Sequence, residues 1–166
     1  SGKTRVLTFR VAYIIEGGAV APENILALTF TNKAAKEMQT RVMKLLGADG
    51  KPRAGMPTMG TFHSVGAKLL RKEIHRLGYG PGFVILDSDD QLKVLREIIA
   101  ELDISKKFPP TLFRAYISSA KNLLQTPNEL NIGLDNYMQD MVRQVYVQYQ
   151  NFLFKQNSLD FDDLLM

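Results

Sequence analysis

The sequence predicts an α/β block built on a parallel sheet, followed by an all-helical block, and three observations carry that reading. Residues 1–78 alternate stretches of helical apolar spacing with short apolar runs lacking polar alternation, as expected of strands covered on both faces. Both predicted strands run directly into a helix through hydroxyl-rich junctions, Thr29-Phe30-Thr31-Asn32 and Thr61-Phe62-His63-Ser64. Residues 79–157 then change to strongly amphipathic helices with a single short strand predicted at Val84 to Leu86.

Taken in order, Thr4 to Glu16 carries Val6, Leu7, Val11, Ile14 and Ile15 at helical spacing, and Gly17-Gly18 stops it. Ile25 to Phe30 is the first buried strand, and the helix from Asn32 to Leu46 should turn Ala35, Met38, Val42, Leu45 and Leu46 inward. A Gly/Pro-rich loop, Gly47 to Pro57, leads to a short strand at Thr58 to Thr61. The helix from Phe62 to Leu77 should bury Val65, Leu69, Leu70, Ile74 and Leu77, with Gly78 as its stop. Three further helices are predicted. Gln91 to Leu102 lies behind the capping acids Asp87 to Asp90, Leu112 to Leu124 behind Pro109-Pro110-Thr111, and the longest runs from Asp135 to Gln156. Its Tyr137, Met141, Tyr146, Tyr149, Phe152 and Phe154 stand at core spacing. Residues 158–166 read as the start of another helix, with Asp160, Asp162 and Asp163 following no strand and charging its N-terminus.

Composition excludes several classes. With 166 residues, 45% of them hydrophobic, the chain can bury a core, and no apolar stretch nears the ~20 residues a bilayer span requires. It has no cysteine, hence no disulfide and no thiolate metal site, which is compatible with a cytoplasmic location. Its two histidines, His63 and His75, make no zinc site. The net charge of +4 permits a polyanionic partner without requiring one.

The first chemical signal is Ser1-Gly2-Lys3-Thr4. A helix opening on Gly-Lys-Thr is the second half of a phosphate-binding P-loop. Its N-terminal amides cradle phosphates, the lysine reaches the β/γ-phosphates and the threonine hydroxyl binds Mg²⁺. The glycine-rich first half is not in this sequence, so the chain is expected to be a piece of a longer nucleotide-driven protein. The two junctions supply the second signal. An exposed aromatic beside small polar residues and Lys33 suits single-stranded nucleic acid, by base stacking and by helix-start amides on phosphate. The residues alone favour a plainer reading, with Phe30 in the core, Thr31 as a helix cap and His63 as a local hydrogen-bonder. Yet two such junctions on neighbouring strands would share the carboxyl edge of the sheet, where ligands of open α/β folds collect.

These residues resemble the superfamily-one DNA helicases of the UvrD/Rep/PcrA type. Ser1-Gly2-Lys3-Thr4-Arg5-Val6-Leu7 is similar to the end of their first motif. Thr29-Phe30-Thr31-Asn32-Lys33-Ala34-Ala35, with Glu37-Met38 and Arg41-Val42, is similar to motif Ia, and Gly60-Thr61-Phe62-His63-Ser64 to motif Ib. Leu159-Asp160-Phe161-Asp162-Asp163-Leu164-Leu165 looks like the stretch that re-enters the first motor domain.

The resemblance implies a partial P-loop, RecA-like motor domain at residues 1–78, an inserted helical subdomain at 79–157 and a return to the motor domain at 158–166. It implies ATP and Mg²⁺ as cofactors, with Ser1, Gly2, Lys3, Thr4 and Arg5 at the nucleotide. Lys3 would stabilise transition-state charge, Thr4 would hold Mg²⁺ and Arg5 would lie near the base. Phe30, Thr31, Asn32, Lys33, Thr61, Phe62 and His63 would contact single-stranded DNA. A parent helicase that moves 3′ to 5′ in DNA repair or replication follows, with repair or replication proteins among its expected partners. Lys106, Lys107 and Lys121 are candidate DNA contacts of the helical block.

Within these residues no apolar strand ends in Asp-Glu, so the chain alone is expected neither to turn over ATP at a meaningful rate nor to unwind DNA. The alternatives are the helicase subunit of a recombination helicase–nuclease, a non-catalytic single-strand-binding module, and a P-loop enzyme acting on a small molecule. The last predicts substrate-binding acids and arginines where this chain has its Thr/Phe/Asn junctions.

Overall fold

A computed structural model describes residues 2–18, 20–47, 55–104 and 108–166, the side chain of Lys3 excepted. The chain is α/β with short parallel strands, and it divides into two compact units, residues 1–68 and 69–166.

In the first unit, α1 (Gly2–Glu16) precedes β1 (Leu26–Thr29), α2 (Asn32–Leu45), β2 (Thr58–Thr61) and the first residues of α3 (Phe62–Glu73). The strands β1 and β2 pair in parallel, with Leu26 opposite Thr58 and Thr29 opposite Thr61. Parallel pairing needs a crossover, which α2 provides. A small core of Val11, Ala27, Met38 and Val42 lies between the helices and the strands.

The helices sit in register with the sequence expectation, but their buried faces are rotated. In α1 the buried residues are Thr8, Val11 and Ala12, whereas Val6 and Leu7 are exposed, because only the side packed on α2 is covered. Thr8 is accommodated by donating its hydroxyl to the Thr4 carbonyl at 2.8 Å. In α2, Met43 joins Met38 and Val42 inside while Leu45, about 200° round the helix from Met43, is exposed. After α3 the chain tightens into a 3₁₀ turn, Ile74–Leu77, closed by Gly78 in the left-handed conformation. That tighter pitch keeps Ile74 buried but rotates Leu77 outward, and Leu69 is also exposed.

The second unit is mainly helical. Its β3 (Val84–Ile85), α4 (Ser88–Glu101), α5 (Pro110–Asn122) and α6 (Asn136–Lys155) lead to β4 (Ser158–Leu159), which pairs in parallel with β3. Asp87 caps α4 and Asp135 caps α6, each through its carboxylate on first-turn amides. One core joins Leu95, Ile98, Phe113, Ile117, Val142 and Leu153 with Tyr146 and Tyr149. The aromatic stripe of α6 divides as its angular spacing dictates. Met141, Tyr146 and Tyr149 are buried, Phe152 is half-buried, and Tyr137 and Phe154 are exposed. Phe154 nevertheless stacks edge-on against Tyr79, with ring centroids 4.9 Å apart.

Two expectations for the tail are corrected. Asp160 does follow a strand, β4, and residues 161–165 form turns where a helix start was expected. Asn157 makes the reversal between α6 and β4 at a φ of 47°, a conformation asparagine tolerates better than most residues. Its side-chain oxygen accepts the Gly80 amide at 2.7 Å, and its carbonyl accepts the Val84 amide at 3.1 Å. Among the described residues no helix is long and apolar enough to cross a membrane.

Candidate functional site

The parallel register of β1 and β2 brings the two junctions side by side. Thr29 and Thr61 are paired, so Phe30 and Phe62 leave the same edge of the sheet on neighbouring strands. Their ring centroids lie 5.4 Å apart at an interplanar angle of 42°. Phe30 is 91% exposed and Phe62 40%. The core reading of Phe30 is therefore wrong. The strand ends at Thr29, one residue before it, and the ring projects beyond the last covered position. An exposed phenylalanine forgoes roughly 1.5–3 kcal/mol of burial, so folding alone gives no reason for this placement.

The backbone that presents the two rings is closely specified. Thr31 is the N-cap of α2, and its hydroxyl accepts the Ala34 amide at 3.2 Å. Thr29 steadies the bend by donating its hydroxyl to the Thr31 carbonyl at 3.1 Å. At the second junction Thr61 and Ser64 cap each other. The Thr61 amide donates to Ser64 Oγ at 2.9 Å, and the Ser64 amide to Thr61 Oγ1 at 3.2 Å. Ser64 Oγ also donates to the Thr61 carbonyl at 3.0 Å. This is a capping box with serine in the usual glutamate position.

Gly60 is required beside it, because a Cβ there would lie 2.6 Å from Ser64 Oγ and 3.1 Å from Val65 Cγ2. The sequence reading passes over Gly60 and Ser64 as site residues. Their signal is the Thr-x-x-Ser spacing at a strand end, read together with the glycine immediately before it.

The remaining expected residues fall into three groups. Asn32, Lys33 and His63 are exposed beside the rings. Thr61 is buried with its amide, hydroxyl and carbonyl all engaged, so it sets the position of Phe62. Gly2, Thr4 and Arg5 lie in the first turn of α1, with Gly2 and Arg5 exposed and Thr4 half-buried. The backbone of Lys3 is in that turn, while its side chain and Ser1 lie outside the described residues.

That helix start fits a nucleoside triphosphate with Mg²⁺. It is the N-terminus of a 15-residue helix, whose first-turn amides and positive dipole end are the chemistry that takes phosphate. Arg5 lies over the Phe9 ring at 5.7 Å, on the wall of a cleft of about 530 Å³ that Thr8, Arg41 and Lys44 also line.

The second unit holds the densest cluster of charge, and it is closed. Lys121, with no exposed side-chain surface, reaches Asp160 Oδ2 and Asp163 Oδ1 at 2.7 Å each. Tyr149 donates its hydroxyl to Asp160 Oδ2 at 3.1 Å. The amides of Asp160 and Asp163 donate to each other's carboxylates at 3.0 and 2.9 Å. The Lys121 ammonium also faces the rings of Tyr149 and Tyr146, at 5.3 and 6.0 Å. Burial drives the Tyr149 hydroxyl well above its ordinary range, with the Asp160 charge adding to it. Burial likewise raises the Asp163 carboxyl, assisted by Asp160 and opposed by Lys121.

Every carboxylate oxygen of the pair has a partner, so the cluster ties α5 and α6 to the chain after β4 and offers no free ligand position. Lys121, a candidate DNA contact in the sequence reading, is therefore a buried structural cation, and Asp160 and Asp163 hold it instead of charging a helix start. Lys106 and Lys107 lie outside the described residues.

Comparison with known proteins agrees with the motif order. Residues 1–166 match the UvrD/REP helicase N-terminal domain. The chain is 48% identical over 167 residues to the ATP-dependent DNA helicase PcrA of Bacillus subtilis. It is 45% and 44% identical to proteins of the same name from Staphylococcus aureus and Staphylococcus epidermidis. In each case the match covers 100% of this chain and 22% of the relative, so the chain spans under a quarter of the length of these relatives. On the full-length match, the capped aromatic junctions and the Gly-Lys-Thr helix start, this chain belongs to the UvrD/REP helicase N-terminal domain family.

Proposed function

We propose that the chain is the nucleotide- and single-strand-binding part of an ATP-dependent DNA helicase. In this reading residues 1–78 are a partial RecA-like motor domain, residues 79–157 a helical subdomain inserted in it, and residues 158–166 the return. The observation that carries the proposal is the exposed Phe30–Phe62 pair, held on one sheet edge by two capped helix starts. Two aromatic faces at the mouth of two helix N-termini suit a strand whose bases stack and whose phosphates meet amides, each base–ring stack being worth roughly 1–3 kcal/mol. Family membership supports the same substrate.

The division of labour follows from the chemistry of the residues. Phe30 and Phe62 stack bases. Asn32, Lys33 and His63 face the sugar–phosphate chain, and Thr31 and Thr61 fix the two turns. Stacking ignores base identity, so binding is expected to be independent of sequence. At the start of α1, the Gly2 and Thr4 amides and the Lys3 ammonium hold the phosphates, the Thr4 hydroxyl is the Mg²⁺ ligand, and Arg5 borders the base. ATP with Mg²⁺ supplies phosphoryl transfer to water, whose free energy drives translocation, in the 3′ to 5′ direction and in the service of repair or replication.

The test uses the intact protein. Phe30→Ala and Phe62→Ala should each weaken binding of a fluorescent oligothymidylate about 5- to 150-fold, the equivalent of 1–3 kcal/mol. Lys3→Ala should abolish DNA-stimulated ATP hydrolysis while leaving that binding in place. Wild-type affinity in both phenylalanine variants would remove the DNA reading of this edge.

A further inference from the structure

Charge is divided unequally between the two units. Residues 1–68 contain ten Lys and Arg against four Asp and Glu, net +6, while residues 69–166 contain eleven against thirteen, net −2. The excess that makes the whole chain basic thus belongs to the unit that carries the aromatic edge.

Within that unit the cations gather on α2. The helix begins two residues after Phe30 and bears Lys33, Lys36, Arg41 and Lys44, all exposed. Its single acid, Glu37, is paired with Arg41 one turn away, an arrangement that leaves the helix strongly basic. Among the described residues, neither Lys36 nor Lys44 has a carboxylate partner. Lys33, Lys36 and Arg41 line one groove, of about 420 Å³. Arg41 and Lys44 line the adjoining cleft, together with Arg5 of α1. Arg41 borders both hollows, so Lys33, Lys36, Arg41 and Lys44 make one basic stretch along α2 that starts at the aromatic edge. From Lys33 to Lys44 it extends about 16 Å, which spans roughly four or five phosphate steps at the ~3.4 Å rise of one B-form strand.

We infer that this α2 face, through Lys36, Arg41 and Lys44, holds the phosphate backbone of the single strand as it continues past Phe30 and Phe62, an inference that rests on the DNA reading above. A solvated helix face usually mixes both signs of charge, whereas this one neutralises its only acid internally. Stacking on the rings fixes the strand at one end, and the cations then act on nearby phosphates without reading sequence. Thr40, between the two lysines, donates its hydroxyl to the Lys36 carbonyl at 2.9 Å, so the cations of this face, and not that hydroxyl, are what it offers a phosphate.

The experiment compares Lys36→Gln/Lys44→Gln with Phe30→Ala in the intact protein, measuring oligothymidylate binding across a series of KCl concentrations. Neutralising two phosphate contacts should flatten the slope of log K against log [salt] by about 1.4, at about 0.7 per contact for a single strand. Phe30→Ala should lower affinity while leaving the slope unchanged. Both positions are exposed, and matched thermal melts confirm that the variants fold. An unchanged slope in the double-lysine variant beside weakened binding in Phe30→Ala overturns the α2 track and leaves the edge site standing. Unchanged binding in both sets removes the edge site as well. A slope change seen only with blunt duplex would assign these lysines to duplex DNA and refute the single-strand assignment.

Discussion

At the carboxyl edge of β1 and β2, two phenylalanine rings stand in solvent while the polar groups around them are spent on one another. Around α5 and α6 the arrangement is inverted. A lysine and two aspartates are sealed among tyrosine rings, and nothing of Lys121 reaches the surface. The difference lies in which groups have partners within the chain. In the second unit each buried charge meets an opposite charge or a donor, so the cluster has a complete structural explanation. At the sheet edge the Thr29, Thr31, Thr61 and Ser64 hydroxyls are engaged and the rings are not, and the unmatched element there is apolar surface aimed outward. A ligand site is better recognised by what folding leaves unpaired than by how much charge it gathers.

The sharpest way to break this comparison is to remove Lys121. Lys121→Met leaves Asp160 and Asp163 buried without their cation, and should cost about 3–5 kcal/mol in urea unfolding. Adding Asp160→Asn and Asp163→Asn should recover part of that loss, since the charges that needed the lysine are then gone. A cost below about 1 kcal/mol for Lys121→Met, typical of a surface pair, would mean that the cluster does not tie α5 and α6 to the following chain.

Next in size is Gly60→Ala. Its Cβ would meet Ser64 Oγ at 2.6 Å, so either the capping box opens or β2 shifts, at a cost of about 1–3 kcal/mol. Ser64→Ala relieves the closest contact but loses the cap itself, so the two substitutions should combine to less than their sum in thermal melts. Strict additivity would show that Gly60 is present for another reason.

The edge itself separates stability from binding. Thr31→Ala should cost about 1 kcal/mol through loss of the α2 cap. Phe30→Ala, beside it, should stay within about 0.5 kcal/mol of the parent because the ring is exposed. Chemical denaturation of the two variants side by side checks this, and a large loss in Phe30→Ala would mean that its ring supports the fold.

How far the sequence revealed these features depended on whether the signal was local. The helices, the two junctions and the Asp87 cap were legible because capping and periodicity act over three or four residues, although α4 begins at Ser88, three residues before the expected Gln91. The shared edge was legible as well, since parallel strands joined by a helix must end on the same side. The exposure of Phe30 was not, because strand apolarity reads alike for a covered position and for the residue just beyond the last pair. Lys121 was read as a surface cation because its partners lie 39 and 42 positions away, and only the fold brings them to 2.7 Å. Asp160 and Asp163 were read as helix caps for the same reason. Their spacing does make them cap each other, as local rules require, but the lysine between them is a non-local fact.

The smallest expected effect is a slope, and it asks whether burial or the lysine governs Asp163. Burial holds its folded-state carboxyl above the ordinary carboxylate value, with Asp160 adding to the rise and Lys121 opposing it. Between the ordinary value, about 3.9, and the raised one, the folded chain therefore binds more protons than the unfolded chain. Stability contributed by this group is fully present at the acid end of that window and is lost as pH rises through it. Asp163→Asn has no proton to exchange, so from about pH 4 upward the gap in urea midpoints should move steadily in the variant's favour. Glu129 works in the opposite sense. Its carboxyl is held low by the Thr126 hydroxyl and amide, so its contribution is lost as pH falls, and Glu129→Gln should flatten the acid side of the profile. If the gap between Asp163→Asn and the parent instead widens in the parent's favour with rising pH, the attraction of Lys121 outweighs burial. The cluster would then be a net source of stability at neutral pH, and not merely a set of charges kept from harm by mutual pairing.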